Sequence, residues 1–500
     1  MLFNSAQFIG IFLPATLLLY YFASKFIGRT AAIGALVLAA FVFYSEWNWT
    51  HLFVLIPSIV FNYFMASFII DSRASGRVHR SKMGLIIAIL VNLGALGFFK
   101  YGNFAIDSFN YILATDVQHY EADLPLGISF FTFTQITYLV DGYRGLAERV
   151  RPLRYALFVT YFPHLIAGPI LHHSQILPQF EKEESYRFNL AVFVDGLALF
   201  GIGLAKKVLI ADPLGQFASY GFNGAGSTDI SFFAAWGAVL SYTFQLYFDF
   251  SGYSDMAVGL ARMMRIDLPI NFFSPYKATS IIDFWRRWHI TLSRFLRDYV
   301  YIPLGGNRRG EPRRYLNLFL TMTIGGLWHG AGLTFLLWGV AHGLMLTINH
   351  AFLSLRGKKA GGILAAWPVR SLSWLVTFAG VVFAWVLFRA ADMGAALNIY
   401  SGMLGKNGFY LPASITNLSP TLKNLFGSQG NVPLLADQTL LGLFTMAVLI
   451  AVAFGLSLFA RNPYEMSPKG RLVRVCIMMP FLIQAVFFAR HPSEFLYFQF

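Results

Sequence analysis

Arg313-Arg314-Tyr315-Leu316-Asn317-Leu318-Phe319-Leu320-Thr321-Met322-Thr323-Ile324-Gly325-Gly326-Leu327-Trp328-His329-Gly330-Ala331-Gly332-Leu333 opens an apolar run that continues to Leu355 and stops at Arg356 and Lys358. From Tyr315 to Leu355 the run is about twice the ~20 residues that one helix needs to cross a bilayer. Basic residues flank both of its ends, so both ends belong on the cytoplasmic face. The stretch therefore reads as a helical hairpin that enters the membrane and returns. His329 sits near its middle, framed by Gly325, Gly326, Gly330 and Gly332. Glycine lets backbones approach closely or breaks a helix, which leaves room beside an imidazole.

The rest of the chain has the same character. Of its 500 residues, 56% are hydrophobic and 17% aromatic, but only 12% are charged. Soluble domains carry roughly a quarter charged residues. Continuous apolar blocks of spanning length identify an all-α polytopic membrane protein. A membrane β-barrel needs short alternating segments and is excluded. Counting blocks gives roughly 11 to 13 membrane segments, within one membrane domain over residues 1–500. Its motifs fall within 124–353 and its C-terminal spans within 371–490.

The excess of 38 Lys and Arg over 24 Asp and Glu fits basic cytoplasmic loops facing anionic lipid and implies no nucleic acid. Cys476, the single cysteine, excludes an internal disulfide and reads as core filler. The apolar run from Phe8 lacks a preceding basic region and a small-residue cleavage site, and reads as a retained first span. Arg73–Lys82, Arg144–Arg154, Arg356–Lys359 and Arg461–Arg474 are assigned to the cytoplasmic face. Tyr101–Asp123, acidic and without Lys or Arg, is assigned to the opposite side, as is the long polar loop Ala390–Asp437.

Asn271–Arg314 is too polar to span and rich in Trp, Phe and Leu. Phe284, Trp288, Thr291/Leu292, Phe295 and Tyr299 follow helical spacing, and this predicts one amphipathic helix over Asp283–Tyr301, interfacial or re-entrant. Arg286, Arg287, Arg294 and Arg297 lie elsewhere around it. His289 is either one more polar-face residue there or part of a site. For His329 the alternatives are a satisfied histidine between packed helices and a proton carrier, and the glycine frame favours the second. His342 and His350 fit the satisfied role. Asp249 and Asp255 are expected in structural ion pairs with Arg262 or Lys207. No metal is implied, since the histidines lack a carboxylate or thiol at ligand spacing.

Phe284-Trp285-Arg286-Arg287-Trp288-His289-Ile290-Thr291-Leu292-Ser293 and Gly326-Leu327-Trp328-His329-Gly330 resemble the signature of the membrane-bound O-acyltransferases (MBOAT), in particular their bacterial alginate O-acetylation branch, AlgI. Gln245–Met256, Leu296–Arg308, Leu124–Phe131, Phe162–Pro169 and Trp338–Gly343 are similar to the same branch. The likeness covers most of the chain to about Leu353 and weakens from Ser354 to Glu494.

The resemblance implies a ring of tilted helices around a central tunnel. It implies His329 as the catalytic residue and His289 as the second polar position of the site. It further implies acetyl transfer from a cytoplasmic donor across the bacterial inner membrane, with acetyl-CoA as donor and no permanently bound cofactor. The implied partners are periplasmic polysaccharide acetyltransferase proteins, an exopolysaccharide synthesis complex and membrane lipid. The implied acceptor is an exopolysaccharide such as alginate. Chemically, His329 suits the base that deprotonates an acceptor hydroxyl. Arg286, Arg287, Arg294 and Arg297 suit coenzyme A phosphates, or equally lipid phosphates. The alternatives are D-alanyl transfer to another envelope polymer and a non-catalytic polysaccharide or lipid transporter.

Overall fold

The computed structural model describes residues 1–120, 123–356, 367–426, 428–429, 432, 435, 437–487 and 495–496. Its principal helices are α1 (Leu13–Phe26), α2 (Arg29–Ser45), α3 (Leu52–Ala74), α4 (Val78–Leu113), α5 (Ile128–Arg144), α6 (Pro152–Thr160), α7 (Leu190–Ala205), α8 (Phe232–Met263), α9 (Ile281–Arg287), α10 (Ile290–Leu296), α11 (Glu311–His329), α12 (Leu333–Arg356), α13 (Trp367–Arg389), α14 (Met393–Met403), α15 (Leu440–Phe459) and α16 (Pro468–Phe487). The β-structure among the described residues is one two-residue parallel pairing, Leu411–Pro412 with Ser428–Gln429. Among the described residues, six helical stretches are long and apolar enough to cross a membrane: Phe8–Phe26, Trp49–Ala74, Val78–Leu113, Leu333–Leu355, Trp367–Arg389 and Leu440–Phe459. Phe64, Leu90 and Phe444 are each more than 60% exposed, which suits contact with lipid tails and not with water. The chain is an all-α, multi-pass membrane protein.

Two segments read from sequence as loops are partly helical. Helix α4 has 36 residues, about 54 Å at 1.5 Å per residue, well beyond a ~30 Å hydrocarbon core. It therefore carries the first half of the acidic Tyr101–Asp123 stretch as helix. His119 then reaches back to Asp107 at 2.6 Å. Within Ala390–Asp437, Asp392 caps α14 by accepting from the Ala395 amide at 2.8 Å, the N-cap role that suits aspartate.

Two compact units interleave along the chain. One comprises Met1–Leu204, Gly252–Ile270 and Met466–Gln499. At one of its ends Arg149 pairs with Asp71 at 3.1 Å, which joins the two basic turns that the charge rule assigns to one face. At its other end the Tyr44 hydroxyl donates to the Leu126 carbonyl at 2.8 Å, and Asn48 donates to Asp123. Gly203 of α7 packs so tightly against α8 that an added Cβ would lie 2.4 Å from the Gly252 carbonyl oxygen. Asp195 is held by Arg262 at 3.0 Å and by Arg471 at 2.8 Å. Arg262 is thus committed to Asp195, and not to Asp249 or Asp255 as the sequence suggests. Cys476 on α16 is exposed, so it is not core filler; its helix turns that face outward.

The other unit comprises Ala205–Ser251 and Asn271–Glu465. Helices α11 and α12 form the hairpin expected from Tyr315–Leu355. Lys207, 2% exposed, lies 2.7 Å from both Asp249 and Asp212. That is the structural ion pair expected for Asp249, with a second carboxylate added.

Candidate active site

The hairpin places His329. Helix α11 starts after Gly310, whose φ of +81° only glycine adopts readily, and has proline in its first turn, where a missing N–H costs nothing. It ends on His329, where Gly330 turns extended. An added Cβ at Gly326 would stand 2.4 Å from the Phe335 carbonyl oxygen and 2.8 Å from the Gly339 Cα. The two arms of the hairpin can approach this closely only because glycines face each other. At the tip, His329 is 6% exposed. Its ring packs edge-on against Trp338 at 5.0 Å and Phe388 at 5.0 Å, with Trp328 at 4.7 Å.

His289 is placed by a break that spacing conceals. The single helix expected over Asp283–Tyr301 is interrupted: α9 ends at Arg287, α10 begins at Ile290, and Arg297–Tyr301 follows as a π-turn. His289 itself takes φ +42° and ψ +55°, left-handed values uncommon for a residue with a Cβ. Asn271 holds it there. The Asn271 carbonyl accepts from the Ile290 amide at 2.9 Å. Its side-chain Oδ1 accepts from the Thr291 amide at 3.3 Å and the Thr291 hydroxyl at 2.9 Å. These two donors fix the amide oxygen, which faces His289 Nδ1 at 3.0 Å. Nδ1 must then be the protonated nitrogen, and Nε2 becomes the basic one. The ring is 1% exposed and packs edge-on against Phe250 at 4.8 Å. Burial disfavours the imidazolium and lowers its pKa, so at neutral pH His289 is a neutral base with a fixed tautomer.

One aromatic lattice runs between the two histidines. Trp288, beside His289, lies tilted against Trp385 at 4.9 Å; Trp385 meets Phe388 at 5.6 Å; Phe388 meets His329. Trp338 touches His329 and, at 4.7 Å, His342. His342 fits the satisfied role only in part. Its Nδ1 accepts from the Trp285 indole at 3.2 Å, but its buried Nε2 makes no hydrogen bond among the described residues. His350 fits that role at Nδ1, to which Arg314 donates at 2.8 Å.

The four arginines divide. Arg287 is bonded to Asp283 at 2.9 Å and Arg297 to Asp298 at 2.7 Å, so both guanidinium groups already have carboxylates. Arg286 and Arg294 are exposed and enter no ion pair among the described residues, which leaves them as the better candidates for a phosphate. Asn271 has no counterpart in the sequence reading. The signal available was a lone asparagine two residues after Pro269, in a stretch otherwise apolar.

Asn271 yields a direct test. His289→Ala is expected to lower activity by about 10²-fold, the scale of a positioned acid–base group. Asn271→Ala should give a smaller loss, because the ring stays but its tautomer is released. Unchanged activity in both variants would make the His289 break purely architectural.

The family model of MBOAT, the membrane-bound O-acyltransferase family, matches residues 39–383. The chain is 45% identical to a peptidoglycan O-acetyltransferase of Helicobacter pylori, over 82% of this chain and 81% of that protein. It is 40% identical to a probable alginate O-acetylase AlgI of Pseudomonas aeruginosa, over 94% and 84%. A teichoic acid D-alanyltransferase of Bacillus subtilis is 27% identical, over 53% and 68%. These likenesses set aside the transporter reading: the chain is an O-acyltransferase and belongs to the membrane-bound O-acyltransferase family.

Proposed function

We propose that this enzyme moves acetyl groups from acetyl-CoA on the cytoplasmic side across the bacterial inner membrane for O-acetylation of an envelope or secreted glycan, with His329 and His289 as its acid–base residues. The observation that carries this reading is the tautomer lock on His289. A carbonyl-fixed Nδ1–H leaves a basic Nε2 in a dry aromatic setting, one lattice away from the glycine-framed His329.

The chemistry needs two proton movements. A base takes the proton of the acceptor hydroxyl as its oxygen attacks the thioester carbon. The tetrahedral oxyanion then collapses, the C–S bond breaks, and the leaving thiolate receives a proton. His329 suits the first step. His289 suits orientation of the acyl group or the second proton. Arg286 and Arg294 suit the donor's phosphates.

The acceptor polymer divides the reading in two. The AlgI likeness favours an alginate-type exopolysaccharide, acetylated through periplasmic acetyltransferase partners and a synthesis complex. The higher identity to a peptidoglycan O-acetyltransferase favours peptidoglycan. Deleting the gene and measuring ester-linked acetate separately on exopolysaccharide and on purified peptidoglycan decides between them. Acetate unchanged on both would refute the proposal.

Donor entry from the cytoplasm can be tested by labelling. With Cys476→Ser as background, because Cys476 is exposed, cysteine at Asn307 should resist a membrane-impermeant thiol reagent in intact cells. Cysteine at Asp116 should react. Labelling at Asn307 from outside would invert the proposed site.

A further inference from the structure

A second cluster of chemistry-bearing residues belongs to the unit formed by Met1–Leu204, Gly252–Ile270 and Met466–Gln499. Asp141, near the end of α5, is 1% exposed and His173 is 6% exposed. His172 Nε2 lies 2.7 Å from Asp141 Oδ2, and His173 Nδ1 lies 3.4 Å from the same oxygen. All three ligand atoms fall within 4.8 Å of one another. Arg144 faces the other carboxylate oxygen at 3.5 Å. Local spacing could not reveal this group, because about thirty residues of chain separate its carboxylate from its imidazoles.

The hydrogen bonds around the cluster show what it lacks. His173 Nε2 faces the Leu146 carbonyl at 3.3 Å, and a carbonyl only accepts, so Nε2 carries the proton. In the neutral ring Nδ1 is then bare, and this buried nitrogen makes no hydrogen bond among the described residues. It points at a carboxylate oxygen, so in that state two acceptors face each other, and either a second ring proton or a metal ion must lie between them. A ring N–H given to a backbone carbonyl is also the usual way of fixing a metal-binding histidine. His172 can join the same ion. Its Nδ1 stands 2.7 Å from the Ser174 hydroxyl, which donates to a bare Nδ1 or accepts from a protonated one. The proton can therefore sit on Nδ1 and leave Nε2 as a ligand.

We propose that Asp141, His172 and His173 bind a divalent transition-metal ion of the zinc class. Two imidazoles and one carboxylate are a donor set that zinc takes, with the fourth position open to water. Tetrahedral bonds of ~2.0 Å set ligand atoms ~3.3 Å apart, close to the His173 separation here and reached by a sub-ångström shift of His172. The His172 side chain is 35% exposed, which gives the ion a path in. The ion ties the end of α5 to the turn that follows Gly168-Pro169.

The test uses the full-length protein in detergent, purified on a tag without histidine, equilibrated with zinc chloride and then gel-filtered. About one zinc per chain should remain, and cobalt substituted for zinc should show the visible bands of a tetrahedral site. The double variant His172→Gln/His173→Gln should elute as folded protein and lose the ion at least tenfold. If it does not fold, Asp141→Asn carries the same comparison. Wild-type protein that keeps no metal, or a folded variant that keeps as much as wild type, overturns the proposal; in either case the cation between His173 and Asp141 is a proton.

Discussion

His329→Ala is expected to abolish acetyl transfer, with a loss of about 10²–10⁴-fold, the range for a positioned general base. The protein should still reach the membrane. His329 is the last residue of α11 and its neighbours at the tip are Trp328, Trp338 and Phe388. Truncating the ring removes an edge-on contact on each side, but the hairpin itself is held by the Gly326–Gly339 approach lower down. Activity and assembly should therefore separate. The measurement is ester-linked acetate on the polymer in cells whose membranes contain wild-type amounts of the variant. Normal acetate would remove His329 from the chemistry and shift attention to His342, which shares Trp338 with it. His329→Gln is the second arm: it keeps a polar side chain of similar reach without an accessible base, so it should be as inactive as alanine.

The hairpin was legible because two independent signals agree on it. Its length is that of two spans, and its ends are basic, so one topology satisfies both. The break at His289 was not legible because the apolar spacing of Phe284, Trp288, Leu292 and Phe295 runs straight through it. What interrupts the helix is Asn271, eighteen residues upstream, which takes the Ile290 and Thr291 amides for itself. Periodicity reports which face is apolar; it is blind to a distant acceptor that competes for backbone donors. Two of the arginines have partners close by in the sequence. Asp283 stands four residues before Arg287, at helical pairing distance, Asp298 adjoins Arg297, and both bonds form. Cys476 shows a further limit: in a membrane protein an apolar helix turns as many apolar residues outward as inward, so composition cannot tell core from lipid face.

Lys207→Met should destabilise the fold by about 3–5 kcal/mol, the cost of breaking a buried ion pair from one side. Lys207 and Asp249 are each 2% exposed, and Asp212 is 22% exposed on the same ammonium. With the cation gone, two carboxylates face each other across the space it held, and at least Asp249 has no water to turn to. Methionine matches the lysine stem in volume, so lost packing contributes little and the effect isolates charge. Asp249→Asn introduced beside it removes the buried anion while keeping its shape, and should recover a substantial part of the loss. Thermal unfolding of the purified protein in detergent measures both steps. Equal melting temperatures for wild type and Lys207→Met would mean that the pair is not desolvated and that Asp249 is reached by water. The partial rescue matters more than the first loss: many substitutions destabilise a membrane protein, but only an uncompensated carboxylate is repaired by taking away its own charge.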